Sequence, residues 1–418
     1  MTAALPVRRP ATGGLWGWSL FSALIAMAGL PIYIHAPKVY VDDYGLSLAA
    51  LGGVLALLRL FDVVQDPVLG WLAEAGRARR GLWVALAAAA MALAMLGLFA
   101  VTPPVAPILW FALTLSVLFT AFSFLTIVFY AEGVARAAAL GPEGHLRLAG
   151  WREGGALLGV CLAAVAPVAL AGATDRPYAV FALAFAGLAL LATLAMRREW
   201  QGGAAPLGHP LALFRPVLAD APARRLLLIA LLNAAPVAVT STLFLFFVES
   251  RLAAPGAEGG LLLLFFLSAA ASTPLWSRLA QRHGARRVLL AGMGLAIVTF
   301  LWAATLGPGQ LWAFAAICAA SGAALGADMV LLPAIFARRL ASIGQGSESA
   351  AFGLWSFVSK LSLALAAATL LPLLDLAGFV PGGANAPSAL ATLSALYALL
   401  PCALKLAAIA LLARTPEV

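Results

Sequence analysis

Twelve apolar runs of about 20 residues each lie between Leu15 and Ala413, and they limit what this chain can become. A helix needs that length to cross roughly 30 Å of hydrocarbon, where every backbone polar group must be bonded within its own segment. Strands of a membrane barrel would alternate polar and apolar residues, and these runs do not. With 63% hydrophobic and 10% charged residues, the sequence is that of an all-α, multi-pass membrane protein. The predicted spans are 15–37, 47–73, 82–101, 106–131, 149–172 and 177–196, then 224–248, 259–280, 286–305, 310–337, 348–374 and 387–413. A stretch rich in Arg, Pro and Gly interrupts them. The expected organisation is a six-helix bundle over residues 1–200, a cytoplasmic linker over 201–223 and a second six-helix bundle over 224–418.

The net charge of +9 has a topological reading. With a cytoplasmic amino terminus, 20 of the 26 basic residues fall on one side, among them Arg77, Arg79, Arg80, Arg147, Arg286, Arg287, Arg338 and Arg339. Only Lys38, Arg176 and Arg251 fall in opposite loops, while Arg59, Lys360 and Lys405 lie within spans. This bias predicts an inner-membrane protein with both termini cytoplasmic, surrounded by membrane lipids, and argues against a nucleic-acid partner. Residues Met1 to Gly14 lack the short apolar core of a cleaved signal, so the first span is expected to be retained. Trp16, Trp18, Tyr40, Tyr178, Trp302 and Trp312 read as interface anchors. Cys161, Cys318 and Cys402 read as packing residues, and His35, His145, His209 and His283 lack ligand spacing, so no metal site is expected beyond a coupling ion.

An internal repeat supports two halves. Pro67 to Arg80 reads P-V-L-G-W-L-A-E-A-G-R-A-R-R and Pro274 to Arg287 reads P-L-W-S-R-L-A-Q-R-H-G-A-R-R, at a constant offset of 207. Halves in parallel repeat are the arrangement of major facilitator transporters, whose substrate sits between them near the bilayer midplane. The same offset places Phe266, Ala269 and Thr273 opposite Arg59, Asp62 and Asp66. Those three charges share one helix face inside a span, where an ionised group is costly and usually functional. Only the first half carries them, so the stripe reads as specialised for an ion. Adding Asp328 and Lys360 gives a net charge of −1 in the expected central cavity, which one Na⁺ or H⁺ would neutralise.

Leu58 to Gly70, L-R-L-F-D-V-V-Q-D-P-V-L-G, resembles the Arg-x-x-Asp-x-x-x-Asp-Pro-x-x-Gly signature of the glycoside-pentoside-hexuronide:cation symporters, the major facilitator family that includes melibiose permease. Tyr130 to Gly159, with Arg147 and Trp151-Arg152-Glu153, and Phe352 to Lys360 are similar to that family's fourth-to-fifth and eleventh helices. The resemblance implies Asp62 and Asp66 as cation-binding carboxylates, Arg59 as their charge partner and Lys360 as the coupling residue. Ser123 and Thr126 would add hydroxyl ligands, since hard cations prefer oxygen. Tyr33, Glu132, Trp151 and Asp328 are the candidate substrate contacts. The sugar-carrying members' acids on the first and fourth helices are replaced by Ala26 and Thr126. Where the family tends to carry Asp, Arg338 stands near the end of the tenth helix and Glu74 stands in the second loop.

The expected function is therefore cation-coupled symport of a small organic solute, such as a sugar or glycoside, by a monomer without a cofactor. One alternative is a lysophospholipid or other amphiphile carrier of the same fold. Another is a magnesium-dependent prenyltransferase built on the Asp62/Asp66 spacing, but such an enzyme needs a second acidic cluster, and Asp328 is followed at i+4 by Leu332. Glu132, Arg152 and Glu153 around the fourth-to-fifth loop read most simply as a solvated face, with gating through Arg79, Arg80 or Arg147 as the other reading.

Overall fold

The computed structural model describes residues 14–200, 210–343, 347–380, 383 and 385–415, and gives backbone only at 30–34, 48–49, 210–211 and 367. Among them every regular element is helical. The first half contains α1 (Trp16–Met27), α2 (Leu30–Tyr44), α3 (Leu48–Ala75), α4 (Arg80–Phe99), α5 (Pro107–Ala139), α6 (Gly144–Leu170) and α7 (Pro177–Met196). After the short α8 (Arg215–Ala219), the second half contains α9 (Ala221–Phe246), α10 (Glu258–His283), α11 (Ala285–Ala303), α12 (Leu311–Ile343), α13 (Glu348–Leu376), α14 (Pro387–Ser394) and α15 (Leu400–Ala413). Residues 201–209 of the expected linker lie outside the described residues. Its later part is built into the fold: Val217 is fully buried, and Asp220 caps α9 through the Ala223 amide at 2.8 Å and grips Arg339 of α12 at 2.5 and 3.0 Å.

Among the described residues, ten helical segments are long and apolar enough to cross a membrane. The other two of the twelve expected spans depart for identifiable reasons. The first span is broken at Ala28 and Gly29 into α1 and α2, and runs past its expected end at residue 37 to Tyr44, where Gly45 turns the chain at φ 66°. The second, α3, is capped by Ser47 and carries Arg59, Asp62, Asp66 and Glu74, which lower its hydropathy. The last span passes through a π-helical turn at Ala395–Leu399.

Within each half, glycines allow close helix contact. A methyl group on Gly155 or Gly159 of α6 would strike the Ser19 and Ala23 carbonyls of α1. Gly322 and Gly326 of α12 meet Phe265 and Ala269 of α10 in the same way, the small-residue packing that membrane helices use in place of a hydrophobic driving force. Trp18 and Tyr40 are corrected from interface anchors to core residues. Trp18 is 1% exposed and stacks on Phe129 at 5.0 Å; Tyr40 is buried against Phe111.

Among the described residues the apolar core has three parts. One belongs entirely to the first half, and one, around Phe247, Phe314 and Tyr397, belongs entirely to the second. The third crosses between halves, with Leu69, Ile127, Ala131, Val134 and Ala149 packing on Leu331, Phe336 and Phe352. It lies toward the arginine-rich ends of the helices, here termed the basic end. There α3 meets α13 so closely that a methyl on Gly70 would lie 2.7 Å from the Ser349 carbonyl oxygen, and one on Gly353 would lie 2.8 Å from that of Asp66.

Candidate functional site

The charged stripe of α3 faces protein. Leu57, Phe61, Val64, Val68 and Leu72 form the exposed stripe of that helix, between 45% and 69% accessible, and helical spacing puts Asp62 and Asp66 on the opposite face. Asp66 is fully buried and Asp62 nearly so.

What they face is the second half. Lys360 of α13 places its Nζ 3.0 Å from Asp66 Oδ1 and 3.3 Å from Asp62 Oδ2, and donates to Ser123 Oγ of α5 at 2.6 Å. Gln65 donates to Asp62 Oδ1, Ser123 reaches the same oxygen at 3.5 Å, and Thr120 donates to Gln65 Oε1 at 3.0 Å. Asp66 Oδ2 is buried with no hydrogen-bond partner. The cluster thus holds two carboxylates, one ammonium, one amide and two hydroxyls, and one carboxylate oxygen has a lone pair to offer. These are hard oxygen donors of the kind that bind small cations.

Asp62, Asp66, Ser123 and Lys360 are therefore brought together. Thr126 is not in the network, because its hydroxyl donates to the Phe122 carbonyl of its own helix at 2.7 Å. Arg59 sits half-buried one turn before Asp62, and the ion pairs shown for the two acids are with Lys360. Gln65 and Thr120 complete the cluster although the sequence reading passed over them. Gln65 follows Asp62 at i+3, a spacing that predicts the contact.

Three of the four candidate substrate contacts are placed elsewhere. Asp328 does not join the central charges: it is buried within the second half, bonded to Lys405 of α15, which also donates to Asn233 of α9 at 2.7 Å. The five-group charge sum is corrected accordingly, since Lys405 neutralises Asp328. Arg59, Lys360, Asp62 and Asp66 then sum formally to zero, with Lys360 resting on both acids. Trp151 is 50% exposed in one outward stripe with Leu158 and Leu162, and its carbonyl accepts from Ser19 at 2.5 Å. Glu132 is 5% exposed and pairs with Arg80 at 2.8 Å, near the basic end. The side chain of Tyr33 lies outside the described residues.

The solvated-face reading of Glu132, Arg152 and Glu153 is also corrected. Arg152 bonds Glu153 at 2.8 Å and lies 3.7 Å above the Tyr130 ring, whose hydroxyl donates to Glu153 at 2.7 Å, and all three acids and bases are buried. Below this, Glu74 is fully buried and accepts the Ser349 amide of α13 at 2.7 Å. Arg80 reaches Glu74, Glu132 and Ser349, while Arg77 bridges Glu74 and Glu348. On the other flank Ser277 of α10 donates to the Leu146 carbonyl of α6 at 3.1 Å. Ion pairs, hydrogen bonds and the shared apolar core all join the halves at the basic end, and Lys360 on Asp62 and Asp66 is the deepest of these ties.

A family profile described as MFS/sugar transport protein matches residues 16–416. The chain belongs to this family. Its fold is the major facilitator fold, shared with solved structures of low sequence identity. The E. coli fucose:proton symporter FucP is 14% identical, with a TM-score of 0.69 over 97% of this chain and 98% of that one. A bacterial homologue of the iron transporter ferroportin, in an outward-facing state, is also 14% identical, with a TM-score of 0.69 over 95% of this chain and all of that one. The family match identifies the chain as an MFS transporter.

Proposed function

We propose that this MFS transporter is a symporter that couples Na⁺ or H⁺ to a small organic solute, with a sugar or glycoside as the favoured class. The observation that carries the reading is Lys360 of one half resting on Asp62 and Asp66 of the other, with Asp66 Oδ2 unpartnered. A cation entering between the acids displaces the ammonium. That removes the deepest tie between α3 and α13, so ion occupancy alters the balance between conformations of the two halves. The name of the matching family and the fucose:proton symporter among the structural neighbours favour a sugar-like solute. With the basic end cytoplasmic, as the arginine bias predicts, the contacts described close the inner side.

The test is uptake of labelled sugars and glycosides into proteoliposomes under an inward sodium gradient or an inward proton gradient. One gradient is expected to drive accumulation in the wild type, and Asp62→Asn and Asp66→Asn are expected to abolish it while inserting normally. Gradient-driven uptake that survives in Asp66→Asn overturns the proposal.

A further inference from the structure

A cavity of about 340 Å³ lies at the basic end, walled by both halves. The first half contributes Glu143 and His145 at the start of α6; the second contributes Arg286 and Arg287 at the start of α11, and Arg338 from α12. Three arginines against Glu143 leave an excess of +2 among these formal charges.

The positive-inside bias accounts for arginines at this end, but not for their convergence. Their neighbours Arg77, Arg80, Arg136 and Arg339 all pair with carboxylates. Among the described residues, Arg286, Arg287 and Arg338 form no such pair, and Arg286 donates to the Ala413 carbonyl of α15. Arg286 and Arg287 also occupy the first turn of α11, where the helix end is itself positive and cations are disfavoured. His145 Nδ1 is buried with no hydrogen-bond partner. A second helix, α6, starts at the same wall, and helix starts receive anions. Each of these features is relieved by one ligand chemistry: a multiply charged oxyanion, bonded by guanidinium forks. The volume suits a phosphate group with a small body attached.

We propose that this cavity binds a phosphate group, carried either by a soluble molecule or by a lipid headgroup, independently of the cation cluster and of the transported solute.

The test uses the full chain in nanodiscs of neutral phosphatidylcholine, titrated with potassium pyrophosphate against potassium chloride at matched ionic strength. Pyrophosphate is expected to raise the unfolding temperature saturably, by mass action. In the double variant Arg287→Gln/Arg338→Gln the midpoint is expected to rise about tenfold or more, whereas Arg282→Gln, outside the cavity wall, leaves it unchanged. A second arm places phosphatidic acid in the nanodisc. Stabilisation there, with no pyrophosphate response in either lipid, assigns a headgroup; a pyrophosphate response in neutral lipid assigns a soluble phosphate. Since the double variant is open to misfolding, arginine modification by phenylglyoxal is followed in the wild type, where pyrophosphate or phosphatidic acid is expected to protect Arg287. Equal responses in wild type and double variant, or no response and no protection in either arm, overturn the proposal.

Discussion

Replacing Lys360 with methionine separates competition from simple structural bracing. The ammonium makes ion pairs at 3.0 and 3.3 Å and a hydrogen bond at 2.6 Å, and a cation taking its place must break all three. A charge-assisted hydrogen bond contributes about 1.5–3 kcal/mol net. Two such contacts, discounted for screening because the Lys360 side chain is 16% exposed, give about 2–3 kcal/mol. Lys360→Met is therefore expected to lower the stability of the cation-free protein and to tighten cation binding roughly 30- to 150-fold. The assay is thermal unfolding with sodium titrated at fixed pH and constant ionic strength, then with pH titrated at fixed sodium. The coupling ion is the one whose midpoint moves to lower concentration in the variant. If neither midpoint moves, or both weaken, in a variant that elutes as the wild type does, Lys360 is not the ion's competitor and the displacement reasoning fails.

Three further outcomes follow from neighbouring geometry. Gly70→Leu, whose Cβ would lie 2.7 Å from the Ser349 carbonyl oxygen, is expected to prop the basic end open, read as increased labelling of a cysteine at position 349 from that side. Asp328→Asn leaves Lys405 without its charge partner and is expected to cost about 3–5 kcal/mol, whereas Asp328→Leu/Lys405→Met is expected to cost less than the single change, both measured by chemical denaturation. Asp220→Ala loses a helix cap and the Arg339 bond, an expected loss of about 1 kcal/mol at neutral pH. The Arg339 bond also holds the Asp220 carboxyl below its ordinary pKa, so this stabilisation is present above the unfolded-state value and lost as pH falls through the folded one; melting curves of wild type and Asp220→Ala should converge in acid.

The helices were legible because span length, the 207-residue repeat and the glycine and proline punctuation are one-dimensional signals. Asp62 and Asp66 were legible for a related reason: charge inside an apolar run is visible without a partner. Which charge meets which was not. Lys360 and Asp66 are 294 residues apart, and Lys405 and Asp328 are 77 apart, so their pairing depends on which helices adjoin. Asp328 was assigned to the central cavity because its depth was readable while its rotation about α12 was not. Glu132, Arg152 and Glu153 misled similarly, since a charged loop margin reads as solvated until a second bundle covers it. Trp151 failed in the opposite sense: an aromatic in a motif-like segment turned out to lie on the outward stripe of α6.

The apolar core that spans the halves at the basic end has a thermal consequence. Any conformation that admits water between Leu69, Ile127 and Phe352 hydrates oily surface that is now dry, and such hydration raises the heat capacity. The equilibrium between the two access states should accordingly bend with temperature, and a van't Hoff plot of their ratio should curve instead of running straight.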